Sequence, residues 1–193
     1  AGLPPPLLLA VGLVVGGASC AVLSAMVAYP ILRLRGTFFS IAMLGVCHVA
    51  AELNNNIDFF QGSLGLNFPT IAPPSWDPAI FFYELYLAAG VFVFLVAWAI
   101  RRSKFGAGLL SIREDEDTAR MLGVPTERYK RQALVISAVL TGLLGVLYGH
   151  SLGYITTDSV YRDDTNLNLI VYSLLGGMGT LFGPVIGAFM LVF

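Results

Sequence analysis

Residues 7–29 contain no charged side chain, and a run of that length is what a helix needs to cross a hydrocarbon core of roughly 30 Å. Further apolar stretches occupy 36–51, 80–100 and 133–154, the first of these three shorter and more polar. In lipid every backbone N–H and C=O must be paired internally, which restricts such segments to helices unless they close a barrel. The expected fold is therefore all-α, a polytopic transmembrane helical bundle. With 56% hydrophobic and 12% charged residues in a chain of 193, too little polar surface exists for a soluble domain.

Charge is sparse but strongly polarised. Eight basic residues (Arg101, Arg102, Lys104, Arg113, Arg120, Arg128, Lys130, Arg131) fall in 101–132, out of 11 in the chain. The positive-inside rule makes that loop cytoplasmic. Alternation then puts Arg33 and Arg35 inside, and 53–79 and 155–166 outside; 53–79 has no Lys or Arg, and 155–166 has only Arg162. The net charge of -1 gives no reason to expect nucleic acid as a partner. Cys20 and Cys47 lie within apolar stretches and read as small hydrophobes. The chain begins without Met and is still apolar where it stops, so a single transmembrane domain over 1–193, lacking spans on both sides, is expected. The outer loop 53–79 reads as irregular, with Trp76 as an interfacial anchor.

The final stretch, 167–193, is broken by Gly176, Gly177, Gly179 and the pair Gly183-Pro184. Residues 167–175 make only about 13 Å of helix, a half-span ending near the midplane. Broken backbone at membrane depth lines a watery path or turns between packed helices. Both readings stay open, as does whether the chain turns back or crosses. His48, Glu52 and Glu84 are the ionisable groups nearest membrane depth, and His48 is either a buried neutral ring or part of a path. Gly145, Gly149 and Gly153, at steps of four, predict a helix-packing stripe that Gly179, Gly183 and Gly187 repeat.

Within the basic loop, Ser111 and Glu114 form a capping-box pattern, so a helix is predicted to begin at Ile112. Glu116 and Arg120 pair at i,i+4, Gly123 suits the C-terminal cap, and Pro125 ends the run. Ile112, Ala119 and Leu122 lie near one face of this short helix, with Met121 beside it. Such a strip fits either a partner's groove or the membrane surface.

Three blocks, in order, carry a resemblance. Residues 32–42 (Leu32-Arg33-Leu34-Arg35-Gly36-Thr37-Phe38-Phe39-Ser40-Ile41-Ala42), the loop from Lys104-Phe105-Gly106 through 111–116 to Arg128-Tyr129-Lys130, and the run from Gly176 to Ala188 resemble the permeases of branched-chain amino acid ABC transporters, a family with urea and short-amide relatives. The resemblance implies a permease with no catalytic residues, no metal and no cofactor of its own. It also implies a second permease subunit, two cytoplasmic ATPase subunits that use ATP, and an extracytoplasmic substrate-binding protein, all at a bacterial-type inner membrane. The helix over 112–122 becomes the coupling helix, with Glu114, Asp115, Ala119, Leu122 and Gly123 meeting the ATPase. His48, Gly176, Gly177 and Gly179 are the candidate pathway residues. This chain differs from many members in having His48 and Met43 where they carry a carboxylate or amide and a threonine. The rival reading from another class is an ion-coupled secondary transporter.

Overall fold

The computed structural model describes residues 5–32, 34, 37–56, 65–68, 71, 77–177 and 179–192, and for 5, 6, 37, 158, 163–166 and 192 the backbone only. The expectations for Arg33, Arg35 and Trp76 lie outside the described residues. In chain order the elements are α1 (Pro5–Ile31), α2 (Thr37–Asn56), β1 (Leu66–Asn67), α3 (Pro78–Arg102), α4 (Lys104–Glu114), α5 (Glu116–Met121), α6 (Thr126–Leu152), β2 (Tyr154–Ile155), α7 (Thr157–Val160), α8 (Asp163–Leu175) and α9 (Gly183–Val192). The expected all-α bundle is what forms, and α1, α3 and α6 are each long and apolar enough to span a membrane. Helix α6 starts seven residues before the apolar run at 133, since its first two turns are polar and carry Glu127, Arg128, Lys130 and Arg131.

The most extensive helix pair is α1 on α6, and glycine makes it possible. A Cβ on Gly142 would lie 2.6 Å from Cys20 Sγ and 3.3 Å from the Gly16 carbonyl, while one on Gly16 would lie 2.5 Å from Val146 Cγ2. Gly17 faces Leu143 and Val139, and Gly12 faces Val146. Without a hydrophobic drive between helices in lipid, dispersion contacts at this short range hold the pair. The packing stripe expected at Gly145, Gly149 and Gly153 is displaced. Positions 139, 142, 143, 146 and 150 recur at helical spacing and share the α1-facing side, whereas a Cβ on Gly145 would meet nothing within 4 Å. Gly149 instead packs under Ile155 and Phe68, and Gly153, at φ 70°, caps the C-terminus of α6.

The glycine-rich segment turns back. A Cβ on Gly176 would collide with the Gly183 backbone, and one on Gly187 with the Tyr172 carbonyl. Since 172 precedes 176 and 183 precedes 187, α8 and α9 are antiparallel arms of a hairpin in which Gly183 and Gly187 permit the close approach. Helix α8 begins at Asp163 rather than 167, so its 13 residues reach about 20 Å.

At the outer rim, part of the loop expected to be irregular is ordered. β1 pairs antiparallel with β2, Leu66 opposite Ile155 and Asn67 opposite Tyr154. Asn54 of α2 donates to the Thr157 hydroxyl at 2.8 Å, and Tyr86 of α3 is hydrogen-bonded to Ser151 of α6 at 2.7 Å. Gly142→Leu should therefore lower the thermal unfolding midpoint of the purified protein, with overpacking costing about 1–3 kcal/mol. The same substitution at Gly145 should leave that midpoint nearly unchanged.

Candidate functional site

The basic loop folds as a braced corner. Ser103 ends α3 and caps α4: its hydroxyl donates to the Ile100 carbonyl at 2.6 Å and accepts the Gly106 N–H at 3.1 Å. Gly106 is buried at this corner, where a Cβ would collide with the Ile100 carbonyl. One turn on, Gly108 lies under the Tyr129 ring of α6, and Phe105 stacks against the same ring at 5.1 Å between centroids. Helix α4 thereby sits against the start of α6, and its orientation is set before the charged segment begins.

The short charged helix starts four residues later than the capping-box pattern predicts. Ser111 lies inside α4, its hydroxyl donating to the Gly108 carbonyl at 2.8 Å, and Glu114 is the last residue of α4. Asp115 is the cap: extended at φ -155°, it accepts the Thr118 N–H at 2.6 Å and opens α5. An ionised carboxylate at a helix N-terminus competes well with a serine hydroxyl, being both a stronger acceptor and matched to the dipole. Hydrogen bonds from Thr118, its backbone N–H first, hold the Asp115 carboxyl below its ordinary value of 3.8.

Helix α5 is tied to α6 at its inner side. Glu116 pairs with Arg120 at 3.3 Å within α5 and also with Lys130 of α6. Arg120 donates to the buried Thr126 hydroxyl at 3.3 Å. Ala119 is 1% exposed, so it faces this chain; the expectation that it touches an ATPase is corrected, and its small size lets α5 lie close. The outward residues are Met121, 87% exposed, and Leu122, 76% exposed. Gly123 follows at φ 84°, a left-handed turn that favours glycine, and Glu114, Asp115 and Asp117 are exposed around the same helix. Two bare apolar side chains at the C-terminal tip of a held helix form a small exposed apolar knob. The sequence strip placed Met121 only at its margin, because helical spacing alone cannot tell which side of a six-residue helix packs inward.

The candidate pathway residues are not brought together. His48 is exposed on α2 within this chain, its Nδ1 donating to the Leu44 carbonyl at 3.0 Å. The buried histidine is His150, 5% exposed, edge-on to Phe68 at 5.2 Å. Its Nδ1 donates to the Val146 carbonyl at 2.9 Å, and its Nε2 has no hydrogen-bond partner. Gly176, Gly177 and Gly179 form the α8–α9 turn, with Gly177 and Gly179 at φ 98° and 77°. That turn lies against the loop: Arg113 of α4 donates to the Gly179 carbonyl at 3.5 Å, and Phe182 stacks with Phe94 of α3 at 5.2 Å.

One cleft lies beside the start of α6 and another beyond its C-terminal end. The larger, 580 Å³, opens near Tyr129 and Arg131, and the smaller, 180 Å³, lies by Asn54, Thr157 and Tyr161 at the outer rim. Burial raises the Tyr161 hydroxyl above the usual phenol range, with Cys47 a lesser cause. Neither cleft is lined by His48 or the glycine turn.

A family model described as branched-chain amino acid transport system / permease component matches residues 2–193. The high-affinity branched-chain amino acid transport system permease protein LivM of Escherichia coli (strain K12) is 29% identical, covering 92% of this chain and 48% of that protein. LivM of Salmonella typhimurium is 28% identical over 85% of this chain and 45% of its own length. The autoinducer 2 import system permease protein LsrC of Photorhabdus laumondii is 29% identical over 52% of this chain and 32% of its own. The chain thus spans about half the length of the LivM relatives it matches. No solved structure matches it.

The Asp115 cap predicts a pH signature. Its carboxyl is lowered, so the ionised cap is fully present above 3.8 and lost as pH falls through the lower folded value. The Thr118 amide chemical shift should step only in that acidic range. Asp115→Asn, which keeps an acceptor, should abolish the step, and Asp115→Ala should show an uncapped Thr118 amide at all pH.

Proposed function

Because the chain belongs to the branched-chain amino acid transport system permease family, we propose that it is the membrane-spanning part of an ABC importer subunit that moves branched-chain amino acids and docks its ATPase through the tip of α5. It is a multi-pass protein of the inner membrane, with α1, α3 and α6 as spans. On this reading 101–132 is cytoplasmic, a second permease subunit completes the path, and two ATPase subunits supply hydrolysis. An extracytoplasmic binding protein delivers cargo, and this chain performs no chemistry itself.

The observation that carries the proposal is the pairing of exposed Met121 and Leu122 with a helix anchored by Asp115, Glu116 and Ala119. An apolar knob costs least when water is excluded from it, and a groove in a second protein does that. Its anchoring means that force applied at the tip moves α4 and α6 instead of bending a loose loop. The exposed carboxylates of Glu114 and Asp115 complement a basic rim on a protein groove. For the cargo, support comes from the LivM relatives, which match most of this chain; the LsrC relatives match about half of it.

The test is co-purification of the full-length parent protein with its ATPase, followed by ATP hydrolysis in the presence of leucine, isoleucine, valine, urea and autoinducer 2. Stimulation by the three amino acids is expected; stimulation by urea or autoinducer 2 alone would replace the cargo, and a well-folded preparation that binds no ATPase would favour the ion-coupled carrier. Leu122→Glu and Met121→Glu should each weaken ATPase association by tenfold or more, as hot-spot losses of about 2 kcal/mol do, while leaving thermal stability near wild type because both side chains are exposed.

A further inference from the structure

We propose, resting on the ATPase-docking reading, that Arg113 is the positioning residue through which the docking loop moves the α8–α9 hairpin. The loop motif and the glycine motif are 66 residues apart in sequence, and the fold places one against the other. Arg113 occupies the last turn of α4, two residues ahead of the Asp115 cap that opens the docking helix. Its guanidinium reaches the Gly179 carbonyl at 3.5 Å, which is long for a hydrogen bond, but the contact is also steric. A Cβ on Gly179 would lie 2.9 Å from Nη2 and nearer still to Nη1 and Cζ. The planar guanidinium is therefore seated on bare backbone, in a space that exists because residue 179 has no side chain.

Around this contact the hairpin is built to move as a unit. Its arms pack on each other through Gly176, Gly183 and Gly187, and the Thr180 hydroxyl closes the turn on the Gly177 carbonyl at 2.9 Å. Arg113 on Gly179 and Phe94 on Phe182 tie the turn to the other helices. The aromatic contact joins the hairpin to α3, a span, and the arginine joins it to the loop that carries α5. Helix α4, 11 residues and about 16 Å long, runs from the Ser103 corner to the α5 cap, and Arg113 stands at its α5 end. A displacement of α5 that α4 carries therefore reaches the hairpin at this contact, and Gly177 and Gly179, with φ of 98° and 77°, hold the tight turn that receives the arginine.

The experiment uses the full-length transporter reconstituted in proteoliposomes with its ATPase and binding protein. Arg113→Ala should leave ATPase co-purification and basal hydrolysis at wild-type levels while lowering leucine uptake, and the ratio of stimulated to basal hydrolysis, by roughly tenfold. Gly179→Ala should also lower uptake, because its Cβ would displace the guanidinium and would strain a left-handed turn besides. Arg113→Lys, which keeps a charged donor, should recover part of the ratio. A merely structural arginine would instead lower stability and basal hydrolysis together. Wild-type uptake and stimulation in Arg113→Ala would overturn the proposal. If Arg113→Ala fails to accumulate, Arg113→Gln carries the same test with the same two outcomes. Failure of the wild-type chain to bind any ATPase would instead overturn the docking reading itself, so the two failures are distinct.

Discussion

The close approach of α1 to α6 is the contact on which the arrangement depends. In lipid, burying apolar surface between helices gains little, because the acyl chains are as apolar as the side chains they would replace. What remains is dispersion, which falls off within an ångström of optimal separation, so a pair is held only as tightly as its backbones can approach. Gly16 and Gly142 allow that approach, with Cys20 and Val146 filling the flanks. Helix α6 then serves as the post for everything else. Tyr129 supports Phe105 and Gly108 of α4, Lys130 holds Glu116 of α5, Ser151 meets Tyr86 of α3, and Ile155 beyond its cap pairs with β1.

The loop's structure follows from that post. Three constraints act in series along it: the Ser103 corner, the stacking of α4 on Tyr129, and the Asp115 cap. Each is local and inexpensive, and together they leave α5 with one orientation. Its inner residues are consumed by the fold, Ala119 by burial and Glu116 by its two cations, so the outer residues alone are offered to a partner. Helix α5 is thereby held on this chain by packing, ion pairs and its cap.

The exposed apolar surface elsewhere has a different meaning. Helix α3 has no buried residue, and most of α8 and α9 is uncovered. In water such surface would be an aggregation hazard, but for membrane spans lipid or neighbouring helices cover it. This chain spans about half of its LivM relatives, and these faces are available to further transmembrane segments or to a second permease subunit.

What the sequence by itself determined is whatever depends on local composition. Uncharged length set the spans, the clustering of Lys and Arg set the orientation, Gly123 and Pro125 marked the end of the charged helix, and the run of glycines marked a break after Leu175. Only the tertiary structure decided which partner each group would meet. Asp115 displaced Ser111 as the cap because α4 had already claimed Ser111, and Ala119 turned inward because α6 lies on that side. Within this chain His150, not His48, became the buried ring, and Gly142 rather than Gly145 met α1, since which face of a glycine-dotted helix is covered depends on the helix that arrives. The hairpin turn against Arg113 was equally illegible, because a contact across 66 residues leaves no periodicity in the chain to read.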